Sequence, residues 1–257
     1  MTDSKTLSRI RIVLVNTTHP SNIGAAARAM KNMGLSQLYL VKPLRPVNER
    51  SLSRAGHALD VLDAAVYCDT LEQALVDCRT VIGTSARERG IGWQVQDVRQ
   101  SAIRAVNDAT RYPVAIVFGR EDRGLTNEEM QKCHWHLSIP TNPDYSALNI
   151  AAAVQVVCYE LRMAMLEAQH QAMPVSEASE PVTPASADAM ELFYQHLESV
   201  LDEIDYLKPA RTRQTMLRLR RIYNRAQMDE LELAMQRGIL KAVEWAVRPV
   251  KDHEPQK

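Results

Sequence analysis

Short unbroken apolar runs alternate along this chain with stretches in which apolar residues recur every three or four positions. Arg11-Ile12-Val13-Leu14-Val15 is such a run. It ends in a turn-rich loop and reads as a buried parallel strand. The spacing from Ile23 to Met33 predicts a helix, with Ser21 or Asn22 placed to cap its free N–H groups and Gly34 to end it. Gln37 to Val41 reads as the next strand, closed by Pro43. Leu71 to Val76 reads as helical, and Thr80 to Gly83 as a strand running into Thr84-Ser85-Ala86-Arg87. Pro113 to Phe118 carries the strongest strand pattern. Thr126 and Glu129 fit a capping box for a short helix to about Lys132. His136 to Ile139 reads as the last strand. Asn149 to Ala168 predicts a long helix with an apolar stripe through Ile150, Val154, Val157, Leu161 and Met165. Strands alternating with helices imply an α/β fold, a parallel sheet with helices on both faces.

The pattern changes after residue 168. From Gln169 to Ala187 the prolines Pro174, Pro181 and Pro184 stand among Ser, Thr, Ala and Glu, which predicts a solvated linker with little capacity for burial. Three helical segments follow, about 189–207, 210–226 and 229–247. The expected division is therefore a domain over 1–168, a linker over 169–187 and a small helical extension over 188–257. The extension is short for an independent domain. It is expected to pack on the large domain, on a dimer mate or on substrate.

Composition alters this picture only through the distribution of charge. The 257 residues hold 31 basic and 31 acidic side chains, for a net charge of zero. The two signs are segregated in the extension. Ser186 to Asp205 holds six acids and no Lys or Arg. Lys208 to Ala226 holds seven bases, Lys208, Arg211, Arg213, Arg218, Arg220, Arg221 and Arg225, and no acid. Arg220-Arg221 beside Tyr223 suits phosphate contact with one stacking option. The rival reading is pairing between this basic helix and the acidic one.

Other classes find little support. Cys68, Cys78, Cys133 and Cys158 contain no Cys-x-x-Cys pair and read as buried thiols in a reducing compartment. Cys133, His134 and His136 lack a second cluster to complete a ligand set, so no metal is expected. No 18-residue apolar run and no apolar signal core point to a membrane or export, so the cytoplasm is the expected location. The P-loop and dinucleotide fingerprints are missing.

The candidate chemistry lies in loops at the ends of predicted strands, where a parallel sheet forms its ligand crevice. They are Asn16-Thr17-Thr18-His19-Pro20-Ser21-Asn22-Ile23-Gly24, leading to Arg28; Phe118-Gly119-Arg120-Glu121-Asp122-Arg123-Gly124-Leu125; and the segment from Ile139 to Asn149. They contain Asn22, Gly24 and Arg28; Gly119, Glu121, Gly124 and Leu125; and Ser146, Leu148, Asn149 and Ala153. In this order and spacing they resemble the three motifs of the SPOUT methyltransferases that act on ribose 2′-hydroxyls of RNA. The resemblance covers roughly residues 9 to 168 closely and the rest loosely. It extends to the bacterial enzymes of that family that modify tRNA.

The resemblance implies a C-terminal trefoil knot, with the chain from about Phe118 to Ala168 threading back through an earlier loop. It implies S-adenosylmethionine as cofactor, tRNA as partner, a homodimer with 149–168 as an interface element, and a pyrimidine target at nucleotide 32 of the anticodon loop. The cofactor pocket would be lined by Thr84, Ser85, Ala86, Gly119, Ile139, Ser146, Ala147 and Leu148, with Ile139 and Leu148 holding the adenosine. Arg28 would meet the target ribose and phosphate. A guanidinium scarcely deprotonates, so a forked phosphate contact with stabilisation of the developing alkoxide, or proton relay by an RNA phosphate, are the two readings of its role. Asn22 orients the ribose or caps a helix. Glu121 orders Arg28 or backbone amides, or forms a structural ion pair. Ser146 and Asn149 contact cofactor or target, or serve as cap and anchor of the long helix. Methylation of ribosomal RNA or of another tRNA position, a catalytically silent RNA-binding module and a nucleotide-binding regulator are the rival functions.

Overall fold

The computed structural model describes residues 3–85, 95–170 and 183–247. In chain order the elements are α1 (Asp3–Leu7), β1 (Ile10–Val15), α2 (Pro20–Asn32), β2 (Gln37–Val41), α3 (Glu49–Ala55), α4 (Leu59–Asp63), β3 (Val66–Cys68), α5 (Leu71–Leu75), β4 (Thr80–Thr84), β5 (Val95–Asp97), α6 (Val98–Ala109), β6 (Val114–Phe118), α7 (Asn127–Gln131), β7 (Trp135–Ser138), α8 (Ile150–His170), α9 (Ala187–Glu203), α10 (Thr212–Ala226) and α11 (Glu230–Val247). They form two compact units, residues 1–179 and 180–257.

The first unit is built on a seven-stranded sheet in the order β3-β2-β1-β6-β4-β7-β5, with parallel pairings throughout. Its central strand β6 is buried along its whole length, as a strand covered on both faces must be. The order is not sequential. β6 inserts between β1 and β4, and β7 between β4 and β5. This brings the C-terminal ends of β1, β6, β4 and β7 side by side, so loops far apart in sequence open on one edge of the sheet.

Helix α2 closes with a Schellman turn. Gly34, at φ +85°, donates to the Lys31 carbonyl and Leu35 to that of Met30. Its start differs from the expectation. Neither Ser21 nor Asn22 caps it, because Pro20 already occupies the first helical position and His19 stands at the cap without a side-chain bond. Gly24 permits the approach of α3: a Cβ there would lie 2.0 Å from the Ser51 carbonyl oxygen. The Thr126–Glu129 capping box forms. The stripe of α8, Ile150, Val154, Val157, Leu161 and Met165, is buried.

The sequence reading passed over β3, β5, α1, α3, α4 and α6. The last carried a legible signal in buried Val98, Ala102, Ala105, Val106 and Ala109, opened by an Asp97 cap that accepts from the Gln100 amide. The edge strands β3 and β5 are three residues each and mostly exposed, so no apolar run marks them.

The second unit has its own core of Met190, Phe193, Tyr194, Leu197, Val200, Leu207, Met216, Met228, Leu233 and Leu240. Residues 183–186 belong to it rather than to a solvated linker. Pro184 bridges Asp229, Ala185 is buried, and the Ser186 hydroxyl accepts from the Ala189 amide at the start of α9. Tyr194 donates its hydroxyl to buried Asn224 over 2.6 Å.

The residues weighed as metal ligands are engaged inside the first unit. His134 Nδ1 accepts from the Val81 amide, and His136 Nε2 meets the Met130 carbonyl at 3.1 Å. Burial pushes the Cys133 thiol up and the His134 imidazole down to about 4. Since the ordinary His134 value is 6.5, its contribution to stability is full above that pH and is lost as the pH falls toward 4. Urea unfolding of the wild type should show this loss, at up to about 1.4 kcal/mol per pH unit, and His134→Asn should flatten it while an amide oxygen keeps the Val81 bond.

Candidate active site

The pocket sits where β4, β6 and β7 end. Its walls are Thr84 and Ser85 after β4, Phe118 to Leu125 after β6, and Leu137, Ile139, Thr141, Ser146, Ala147, Leu148, Ile150 and Ala153 from β7 into α8. Of the residues expected to hold the cofactor, Thr84, Ser85, Gly119, Ile139, Ser146, Ala147 and Leu148 line it. Ala86 lies outside the described residues. The pocket also contains the motif residue Leu125, together with Phe118 and Leu137, which motif spacing alone did not single out.

The loop after β6 folds back on itself. Arg120 and Gly124 exchange backbone hydrogen bonds of 3.2 and 2.9 Å. A Cβ on Gly119 would stand 2.1 Å from the Gly124 carbon and the Leu125 nitrogen, so glycine is required by contact. Gly124 is required by its positive φ of 69°. Arg120 pins this hairpin: both of its terminal nitrogens donate to Glu129 at 2.9 Å, and one also donates to Asn16 at the end of β1. Burial tends to raise the Glu129 carboxyl, but the Arg120 guanidinium and the Thr126 amide hold it below the ordinary value. Neither Arg120 nor Asn16 was selected from sequence, since nothing in the residue order joins them.

Glu121, next along, faces the β1–α2 loop. Its carboxylate accepts from the Thr18 amide at 3.0 Å, the Thr18 hydroxyl at 2.9 Å, the His19 amide at 3.4 Å and Asn22 Nδ2 at 2.8 Å. Its backbone donors, Thr18 and His19, stand just before the first helical residue, Pro20, so the carboxylate sits near the positive dipole end of α2. Burial works against the charged form, but the Asn22 and Thr18 donors outweigh it and hold the Glu121 carboxyl below its usual value. Asn22 Oδ1 in turn accepts from Asn149 Nδ2 at 3.2 Å, while Asn149 Oδ1 accepts from the Ala151 amide and anchors the start of α8. One hydrogen-bonded chain thus joins all three motifs.

Two sets of alternatives are separated by the structure. Arg28 lies on an exposed face of α2 and is not among the pocket-lining residues. Glu121 therefore orders backbone amides and Asn22 rather than Arg28. In the second unit, Arg220 does not face outward. It makes a two-pronged pair with Glu191 at 2.7 and 2.8 Å and lies 4.3 Å over the Tyr194 ring. Tyr223, the stacking candidate, packs edge-on against Phe193 with centroids 4.9 Å apart. At this position the acidic and basic helices do pair. Arg221 is half-buried, whereas Lys208, Arg211, Arg213, Arg218 and Arg225 are exposed.

Neighbouring strands of one parallel sheet thus bring the three motifs that resemble those of the SPOUT methyltransferases to a single glycine-lined pocket. Comparison with known proteins gives the family: residues 9–159 match the SpoU rRNA Methylase family, to which the chain belongs, and residues 188–254 match the C-terminal domain of the tRNA methyltransferase TrmJ. The chain is 47% identical over 238 residues to the tRNA (cytidine/uridine-2'-O-)-methyltransferase TrmJ of Yersinia pestis (strain Pestoides F), covering 93% of this chain and 92% of that protein. The crystal structure of TrmJ from Z. mobilis ZM4 matches with a TM-score of 0.79 at 31% identity, over 91% of this chain and 98% of that one. A probable methylase family protein from Haemophilus influenzae Rd KW20 matches with a TM-score of 0.63 at 41% identity, over 95% and 100% of the two chains.

Removing either end of the hydrogen-bonded chain should expose its coupling. Glu121→Ala is expected to cost about 1–3 kcal/mol, because the Thr18 and His19 amides lose a charged acceptor. Asn22→Ala should cost less. A double-mutant cycle followed by denaturant unfolding should give a coupling of about 1 kcal/mol. Additive effects would show that the bond carries no stability.

Proposed function

We propose that this protein transfers a methyl group from S-adenosylmethionine to the ribose 2′-hydroxyl of a pyrimidine nucleotide in tRNA, at position 32 of the anticodon loop. The observation that carries the reading is the hydrogen-bonded chain from Asn149 through Asn22 to Glu121, at the rim of a pocket whose chemistry suits the cofactor. The pocket fits a neutral adenosine. Ile139, Leu148, Phe118 and Leu137 offer apolar surface, and the loop at Gly119 has no room for a side chain. Thr84, Ser85, Ser146 and Ala147 would hold the remainder through backbone and hydroxyl groups. When bound, the cofactor supplies a methyl carbon made electrophilic by its sulfonium.

The work left to the protein is to position the hydroxyl and manage its proton. Asn22 and Asn149 present amide groups beside Glu121. Both polar atoms of each are engaged, those of Asn22 with Glu121 and Asn149 and those of Asn149 with Asn22 and the Ala151 amide, so their orientations are set before substrate arrives. Glu121 accepts at least four donors and is held ionised, which suits it to orienting these amides and not to taking the ribose proton. Arg28, exposed on α2, is assigned to the phosphate of the incoming RNA and to the charge that grows on the oxygen. In the second unit the RNA contacts fall to exposed Lys208, Arg211, Arg213, Arg218 and Arg225, with Arg221 at the margin and Arg220 reassigned to internal structure. The same reading includes a homodimer, a knotted thread through 118–168, and the division of labour between a catalytic domain and a tRNA-binding extension. It also includes action in the cytoplasm; among the described residues no helix is long and apolar enough to cross a membrane.

Nucleoside mapping by mass spectrometry tests the reaction. tRNA from cells lacking the protein should lose one 2′-O-methyl pyrimidine at position 32, and an unchanged map would reject the assignment. Arg28→Ala should lower kcat by about 100-fold or more while cofactor affinity stays within two-fold, as for a contact made in the transition state. Reversing Lys208, Arg211 and Arg218 to Glu should weaken tRNA binding and flatten its salt dependence without moving the melting point. Arg220→Glu should instead lower the melting point, because it sets two carboxylates face to face over Tyr194.

A further inference from the structure

Among the described residues, the charged ones lining the pocket are Arg120, Glu121, Asp122 and Arg123. They fall into two pairs of different character. Arg120 is engaged with Glu129 and Asn16, and Glu121 with Thr18 and Asn22, so neither can turn to a ligand without dismantling the loop. Asp122 and Arg123 are sequence neighbours that meet at 2.8 Å with side chains 57% and 71% exposed. An ion pair this open to water contributes little and is weakened by salt. A doubly hydrogen-bonding anion can therefore take the Arg123 guanidinium at small cost.

An exposed aromatic residue stands next in sequence to another wall of the pocket. Tyr145 closes the 3-10 turn Pro143–Tyr145 and is 81% exposed. It directly precedes Ser146, Ala147 and Leu148, which line the pocket. The backbone beneath it is fixed, since its amide donates to the Asn142 carbonyl and the Asn142 side chain accepts from the Asp144 amide. A large ring held on a fixed turn beside a pocket, without being buried, offers a face for a flat ligand group.

We propose that Arg123, in the pocket lining, and Tyr145, adjoining the lining residues Ser146 to Leu148, form a grip for single-stranded RNA, Arg123 forking onto a backbone phosphate beside the methylated ribose and Tyr145 stacking on a base next to it. A guanidinium matches phosphate geometry in two hydrogen bonds. Splayed bases of single-stranded loops stack on tyrosine with little regard to their identity. Together the two contacts place a ribose at the pocket while leaving its base free to vary. Asp122 is the competitor that RNA displaces. The grip rests on the reading of this protein as an RNA 2′-O-methyltransferase.

The test uses the full chain and an unmodified tRNA transcript, with tRNA affinity measured at two salt concentrations, cofactor affinity by calorimetry, and methyl incorporation. Arg123→Ala should weaken tRNA binding several-fold and reduce the salt slope by about one. Asp122→Asn should tighten it. Tyr145→Ala should weaken tRNA binding about five-fold or more with the salt slope unchanged, and Tyr145→Phe should restore it. Cofactor affinity should not move in any of the four. Loss of cofactor affinity in Arg123→Ala would assign the guanidinium to the cofactor's carboxylate and overturn the phosphate contact. Unchanged tRNA affinity in both alanine variants, with the wild type methylating tRNA, would overturn the grip alone. A wild type that transfers no methyl group to tRNA would overturn the functional reading beneath it.

Discussion

The active edge of this molecule depends on one carboxylate. Glu121 stands on the loop after β6, yet the groups it satisfies belong to the loop after β1 and the start of α2. A helix beginning with Pro20 and lacking a side-chain cap has a positive dipole end that favours a nearby anion. Glu121 brings one from across the sheet, bonding the Thr18 and His19 amides just before the helix. It also fixes Asn22, and through Asn22 it fixes Asn149 at the head of α8. The approach to a helix and the assembly of a site thus share one set of hydrogen bonds.

Sheet topology makes that interaction possible. Because β6 lies between β1 and β4, its loop is adjacent both to the loop carrying Asn22 and to the strand end carrying Thr84 and Ser85. Because β7 lies on the far side of β4, the segment from Ile139 to Leu148 closes the other wall. Arg120 and Asn16 brace the same junction from behind. Adjacent charged residues in one short loop therefore have opposite fates: Arg120 and Glu121 are bound into the framework, and Asp122 and Arg123 face water.

The helical unit shows how far charge pattern alone can be trusted. Seven bases facing six acids in sequence allowed either phosphate contact or internal pairing. The structure divides the answer by residue. Arg220 is held by Glu191 over Tyr194, whereas Arg211, Arg213, Arg218 and Arg225 are exposed. Helical periodicity decides which is which, for only one face of α10 can lie against α9.

Much of this protein was determined by short-range order in the sequence. The buried strands, the Thr126–Glu129 capping box, the Gly34 helix end and the stripe of α8 follow from local periodicity and backbone preference, which act over a few residues. The motif residues that line the pocket could be named because they keep fixed spacings within single loops. Other features were decided only by tertiary structure. The short edge strands form because a neighbouring strand offers hydrogen bonds, not because their residues are apolar. Asn22 is a link and not a cap because it lies inside the first turn, where Glu121, 99 residues away, accepts its side-chain N–H. Arg28 stands apart from Glu121, and Arg220 turns inward, because packing sets which face of each helix meets water. Residue order records which side chains are present; the non-sequential order of the strands decides which of them can touch.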